Sequence, residues 1–122
     1  MRLKAFPALT SMTIFEALYG VELEEMKNRI TKTQAQQYKD QISKLSEACI
    51  VLPWEQNAAA ITAYIFPRLT GQLPKHWKDL FIAAIALAHG YGVATRNRKD
   101  FELIASHTPD DKTLRVAVWP SQ

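Results

Sequence analysis

The sequence is poor in several features that mark other classes of protein. Cys49 is the single cysteine among 122 residues, so no internal disulfide can form and nothing asks for an oxidising compartment. No apolar run reaches the roughly 18 residues of a membrane helix, and no convincing secretory signal follows the basic first residues. No glycine-rich loop is present to cradle a nucleoside triphosphate. We therefore expect a cytoplasmic protein without a membrane span.

The remaining composition is that of a folded domain. Four glycines and six prolines exclude a fibrous repeat, and 48% hydrophobic residues exclude disorder. From the length we predict a single domain over residues 1–122. The formal charge of +3 permits a nucleic-acid partner without demonstrating one.

Strand and helix signals alternate along the chain. Short apolar segments predict strands at residues 9–12, 49–52, 93–95 and 114–119. Helical spacing predicts helices from Thr13 onward and over residues 31–48, 55–69, 78–89 and 98–105, with a loop at 71–77. This alternation predicts an α/β fold with a mainly parallel sheet flanked by helices. Such sheets bind ligands beyond the carboxyl ends of their strands.

Two predictions concern local structure near the first helix and the second strand. Thr13 and Glu16 have the T-x-x-E spacing of a capping box, which predicts that the helix starts there. The strand at 49–52 is continuously apolar, which predicts burial. A buried face of the first helix is predicted from the helical spacing of Ile14, Phe15, Leu18 and Val21.

Three acids fall at the ends of predicted elements. Glu16 lies in the first turn of the first helix, Asp79 opens the helix at 78–89, and Asp100 follows the strand that ends at Thr95. Taken singly, each acid is explained by helix capping or by solvation. Taken together, carboxylates that meet beyond strand ends form the hard-oxygen site that Mg²⁺ or Mn²⁺ prefers. Such ions promote phosphodiester hydrolysis.

Basic and polar residues surround these acids in the sequence. The basic ones could hold a phosphate backbone, but ordinary solvated charge explains them equally well. The polar ones are suited to orienting a ligand water or simply to ending a strand. The basic residues are Arg96, Arg98, Lys99 and Lys78, and the polar ones are Thr95 and Asn97. Trp54, Trp77 and Trp119 could stack on bases, but core packing or an oligomer interface explains each of them better.

Two segments resemble one known family. Residues 79–90, DLFIAAIALAHG, and residues 93–101, VATRNRKDF, are similar to the C-terminal half of PIN-domain toxins of the VapC type. Residues 13–20, TIFEALYG, are similar to the segment that carries a further acid in this family. A weaker likeness continues through residues 116–120, so the resemblance covers nearly the whole chain from about Leu9.

The resemblance implies a PIN-like three-layer sandwich with an acidic pocket that binds Mg²⁺ or Mn²⁺ and cleaves RNA. It implies a metal-dependent endoribonuclease that is the toxin of a toxin–antitoxin pair, restrained by a cognate antitoxin and forming a homodimer. By position, Glu16, Asp79 and Asp100 match site acids of the family, and Thr95 and Asn97 match its supporting polar residues.

The sequence departs from the family at one place. The family's first strand, which carries an Asp, and the helix after it have no counterpart here, since no acid precedes Glu16. We therefore expect an N-terminally shortened PIN-like domain, unless the true start lies upstream. One alternative function is a catalytically weak or inactive PIN protein that only binds antitoxin or self-associates. Another is an unrelated α/β module whose acids are all helix caps.

Overall fold

A computed structural model describes residues 8–69 and 73–118, with the side chains of residues 73–76 left aside. Contacts between residues divide the chain into two compact units, residues 1–52 and 53–122. Each unit contains one two-stranded parallel sheet. Within the described ranges, no helix is both long and apolar enough to cross a membrane.

The first unit is a parallel strand pair joined by two helices. The elements in order are β1 (Ala8–Thr10), α1 (Ser11–Met26), α2 (Lys32–Ala48) and β2 (Ile50–Leu52). Strand β1 pairs with β2 so that Ala8, Leu9 and Thr10 lie opposite Ile50, Val51 and Leu52. Helices α1 and α2 pack against each other.

Helix α1 starts two residues earlier than predicted. Its N-cap is Thr10, whose Oγ1 accepts a hydrogen bond from the Thr13 backbone N–H at 2.9 Å. The predicted capping box of Thr13 and Glu16 is therefore wrong. Thr13 is the third helical residue, and Glu16 lies in the second turn. Thr10 is the buried last residue of β1, so the strand leads directly into the cap of α1.

The predicted buried face of α1 is also wrong. No residue of α1 is buried, and Phe15 and Tyr19 stack on each other at the surface with ring centroids 5.8 Å apart. Met26 lies on the same side of the helix because it is eleven residues after Phe15, about three full turns. We call Phe15, Tyr19 and Met26 the α1 stripe.

Helix α2 has the exposed character that its polar sequence predicts. Thr31 and Gln34 form a complete capping box, with hydrogen bonds of 3.0 Å and 2.8 Å, and Ala35 is its one buried residue. The Lys39 ammonium lies 2.6 Å from the Glu22 carboxylate of α1. Hydrogen bonding to Glu22 raises the pKa of Lys39 above its usual value.

Strand β2 forms at the predicted place but is mostly exposed. Leu52 is buried, whereas Ile50 and Val51 are exposed, so the predicted burial of the whole segment is wrong. A continuous apolar run does not show which of its side chains another element covers. In β2, Leu52 is covered and the other two side chains are not.

The second unit carries the larger buried core. Its elements are α3 (Gln56–Ile65), a 3₁₀ turn (Phe66–Leu69), α4 (Leu73–Ala88), β3 (Val93–Thr95), α5 (Arg98–Ala105) and β4 (Val116–Val118). Helix α4 packs against α3 and α5, and α5 packs against β4. The large side chains with essentially no exposure, Ile65, Leu80, Ile85 and Ile104, all belong to this unit.

The start of α4 differs from the sequence prediction. Residues 73–77 are helical rather than a loop, so Asp79 lies in the second turn of α4 and does not open it. The capping explanation of Asp79 is therefore excluded. Strands β3 and β4 pair in parallel with Thr95 opposite Val118. The predicted end of the last strand at Trp119 lies outside the described residues.

Two glycines shape the connection from α4 to β3. Gly90 adopts a φ of +76°, which a residue with a side chain rarely adopts. A Cβ on Gly92 would lie 2.8 Å from the Arg115 carbonyl oxygen, which also accepts a hydrogen bond from the Val93 N–H. The entry to β3 therefore leaves no room for a methyl group at residue 92.

We expect the same glycine-to-alanine change to have opposite effects in the two units. Gly92→Ala should lower the free energy of unfolding by about 1–3 kcal/mol because the backbone oxygen of Arg115 must move. Gly20→Ala should raise it by about 0.5–1 kcal/mol because this position inside α1 has open space. Urea unfolding followed by circular dichroism measures both free energies. Equal effects of the two substitutions would contradict the difference in available space at Gly92 and Gly20.

Candidate functional site

Three elements of the second unit present the polar residues predicted as a site. Asp79 projects from the second turn of α4, and Thr95 ends β3. Asn97 is the N-cap of α5, and Asp100 lies in the first turn of that helix. Because α4 packs against α5, residues 18 to 21 positions apart in the sequence meet at this end of β3.

The side-chain amide of Asn97 lies between the two carboxylates. Its Nδ2 is 3.4 Å from Asp79 Oδ2 and 2.5 Å from Asp100 Oδ2. The two oxygens can be no farther apart than the sum of these distances, about 5.9 Å. The structure therefore brings Asp79 and Asp100 together, as the spacing of the strand and helix ends suggested.

The orientation of Asn97 is unusual for a helix cap. An asparagine at this position commonly accepts a hydrogen bond from a helix N–H through its side-chain oxygen. Asn97 makes no such bond, and its own backbone N–H donates to Thr95 Oγ1 at 2.8 Å. Because ionised carboxylates only accept hydrogen bonds, the NH₂ end of the amide faces them. The side chain serves the acids rather than the helix.

Glu16 belongs to the first unit, where it is half-buried in α1. Its participation with Asp79 and Asp100 in one site stays a prediction. Over the described parts of the chain, no group of three or more His, Cys, Asp or Glu side chains is arranged to hold a metal ion. The acidic site of the second unit thus contains the carboxylates of Asp79 and Asp100, which meet at the Asn97 amide.

The predicted basic residues divide by exposure. Arg96, Arg98 and Lys99 are exposed at the start of α5, where Arg98 Nε lies 2.7 Å from Glu102 Oε2 one turn along. Exposed pairs of this kind contribute little to stability, so the guanidinium can exchange partners readily. Lys78 is half-buried, with its Nζ 5.7 Å from the centre of the Trp77 ring.

Trp54, Trp77 and Phe81 form an aromatic cluster on α4, and sequence reasoning did not place these three rings together. Trp54 stacks on Phe81 with ring centroids 5.2 Å apart, and Trp77 meets Phe81 edge-on at 5.8 Å. Trp77 and Phe81 are four residues apart on the helix, which is the spacing that places side chains on one face. Asp79, halfway between them in sequence, lies on the opposite face. The aromatic rings thus pack on α4 and leave its acidic face to the site.

Comparisons with known proteins identify the fold. No protein-family model and no curated protein matches the sequence. The DNA-bound VapBC structure from Salmonella typhimurium has a TM-score of 0.70 and 24% identity, covering 92% of this chain and 74% of that one. The VapBC-1 structure from nontypeable Haemophilus influenzae has a TM-score of 0.73 and 21% identity, covering 99% and 81%. The VapBC-5 structure from Mycobacterium tuberculosis has a TM-score of 0.64 and 18% identity, covering 95% and 90%.

The chain has the PIN fold of VapC-type toxins. The α/β class and the PIN-like fold predicted from the sequence are thereby confirmed. At identities of 18–24%, the likeness establishes the PIN fold and leaves the activity to be argued from the residues.

The site depends on the packing that anchors α5. Ile104 is fully buried one turn after Asp100. We expect Ile104→Ala to lower the free energy of unfolding by about 2–5 kcal/mol, because it leaves a cavity in the core of the second unit. Leu45→Ala, at an exposed position of α2, is the control and should change it by less than about 0.5 kcal/mol. Urea unfolding measures both, and a small effect at Ile104 would contradict this anchoring.

Proposed function

We propose that the chain is a Mg²⁺- or Mn²⁺-dependent endoribonuclease that acts in the cytoplasm as the toxin of a toxin–antitoxin pair. One observation carries the proposal. In a PIN fold, two carboxylates from α4 and α5, those of Asp79 and Asp100, meet at one Asn97 amide beside the end of β3.

The donor set fits the cation that the fold family implies. Mg²⁺ accepts oxygen ligands and commonly binds through one or two carboxylates, keeping several waters for exchange with phosphate oxygens. Asp79 and Asp100 supply two such carboxylates, and Thr95 supplies a neutral hydroxyl oxygen close by. We assign Asp79 and Asp100 as the principal ligands, with Glu16 assisting directly or through water.

The acidic, polar and basic residues of the site would have different roles. Asp79 and Asp100 hold the cation, and Thr95 fixes the backbone of Asn97 through its hydroxyl oxygen. Arg96, Arg98 and Lys99 lie exposed next to this site, suited to holding the phosphate backbone of RNA. When bound, the divalent ion supplies an activated water and neutralises charge on the phosphate.

The solved structures of similar fold support a protein partner. They are VapBC toxin–antitoxin complexes, two of them with DNA. We therefore propose a cognate antitoxin as the partner that restrains this chain, and a homodimer as its assembly.

A second function is favoured by the size of the acidic group. With two carboxylates rather than three gathered in the part of the chain that the structure describes, the cation would be held more weakly. A catalytically silent PIN protein that only binds antitoxin or itself is consistent with this. Measurement of RNA cleavage by the full chain separates the two functions.

We expect the chain to cleave RNA in the presence of MgCl₂ or MnCl₂ and not in EDTA. Asp79→Asn and Asp100→Asn should each lower the cleavage rate by about 100-fold or more, because each removes a negative ligand. Gel electrophoresis of labelled single-stranded and structured RNA measures the rates.

Asp40→Asn is the matched control for this experiment. Asp40 is an exposed carboxylate of α2 that accepts a hydrogen bond from Gln36, so its replacement should leave the rate unchanged. Cleavage that survives both EDTA and Asp79→Asn would rule out the proposed nuclease. Absence of any metal-dependent cleavage by the unaltered chain would favour the silent protein.

The basic residues predict a salt-dependent affinity for RNA. In an Asp79→Asn background, which prevents cleavage, Arg96→Ala or Lys99→Ala should reduce the slope of log K against log [KCl] by about 0.7 each. Fluorescence anisotropy with a labelled single-stranded RNA measures the slope. Lys32→Ala, at an exposed position of α2, is the control. An unchanged slope in the Arg96 and Lys99 variants would remove these cations from the RNA-binding surface.

A further inference from the structure

We infer that the Asn97 amide competes with the divalent cation for the Asp79 and Asp100 carboxylates and must be displaced when the cation binds. Asn97 would then set the affinity of the site for the cation without being one of its ligands. This inference rests on the proposed binding of a divalent ion by Asp79 and Asp100.

The Asp79 and Asp100 carboxylates lie close enough for their charges to interact. Two carboxylate oxygens within about 5.9 Å of each other repel, and a site of this kind needs positive charge or hydrogen-bond donors between them. The Asn97 Nδ2 donates to Asp79 Oδ2 and Asp100 Oδ2 at once. The two carboxylates that would hold the cation therefore already accept hydrogen bonds from one amide.

Asn97 does not use its side chain to cap α5. As the N-cap of α5, its side chain could satisfy a helix N–H, yet it makes no cap bond. Its backbone is fixed independently, through the bond from its N–H to Thr95 Oγ1. The side chain can therefore turn away from the acids while the start of α5 keeps its place.

Two substitutions at one position separate this role from a purely structural one. Asn97→Ala removes the donor, and Asn97→Asp replaces it with a third negative charge of the same shape. Without metal, both variants should melt at lower temperature than the unaltered chain, the aspartate variant lowest because its charge adds to the repulsion.

With MnCl₂ as the probe, the order should reverse. Asn97→Ala should bind Mn²⁺ about tenfold more tightly than the unaltered chain, because no hydrogen bonds to a charged group have to be broken. Asn97→Asp should bind more tightly still, since affinity rises with the number of negative ligands. Electron paramagnetic resonance of free Mn²⁺ gives the dissociation constants, and differential scanning fluorimetry in EDTA gives the melting temperatures.

Asn57→Ala and Asn57→Asp are the matched controls. Asn57 is an exposed asparagine of α3 in the same unit, so its substitutions test the same changes of size and charge away from the acids. They should leave the Mn²⁺ affinity within about twofold of the unaltered chain.

The outcomes distinguish this inference from the proposed function. Mn²⁺ binding by the unaltered chain with an unchanged or weaker affinity in Asn97→Ala would overturn the inference and leave the nuclease proposal standing. A lower melting temperature without a change in Mn²⁺ affinity would reduce Asn97 to a structural role and also overturn it. No Mn²⁺ binding by the unaltered chain would overturn the metal-dependent function and this inference together.

Discussion

The geometry of the candidate site depends on the packing of α4 against α5, which brings Asp79 and Asp100 to one Asn97 amide. Asp79 and Asp100 come from different helices, and two neighbouring carboxylates repel each other. The Asn97 amide offers a donor to both, and Thr95 fixes its backbone at the end of β3. The buried side chains of α4 and α5, Leu80 and Ile104, hold the two helices in position. The core therefore fixes where the acids are, and the amide donates to both of them.

Much of the fold is predictable because it follows from local patterns. The bounds of α5 and the approximate positions of the strands match the sequence prediction, because both follow from the local order of apolar and polar residues. The start of α4 does not match, although Pro74 in its first turn is a signal that fits a helix start. The burial of α1 fails for another reason. Periodicity shows that a helix has an apolar face, but not whether another element covers it.

The site was predictable in part. The sequence places four polar residues near the end of one predicted strand: Asp79, Thr95, Asn97 and Asp100. The resemblance to VapC-type toxins indicates the same residues as site residues. Sequence suggested that Asn97 orients a water or ends a strand. The bridge that its amide forms depends on how α4 packs against α5, which no local pattern reports. The separation of the Trp77 and Phe81 rings from Asp79, in contrast, follows from the spacing of residues 77, 79 and 81 along one helix.

The α1 stripe has a practical consequence for the isolated chain. Phe15, Tyr19 and Met26 are between 45% and 71% exposed, and no residue of their helix is buried. Apolar surface of this kind promotes self-aggregation when nothing shields it. Overproduction of the chain by itself should therefore be limited by solubility rather than by folding of the second unit. Mild detergent or a charged substitution at Met26 should improve recovery without touching the acids.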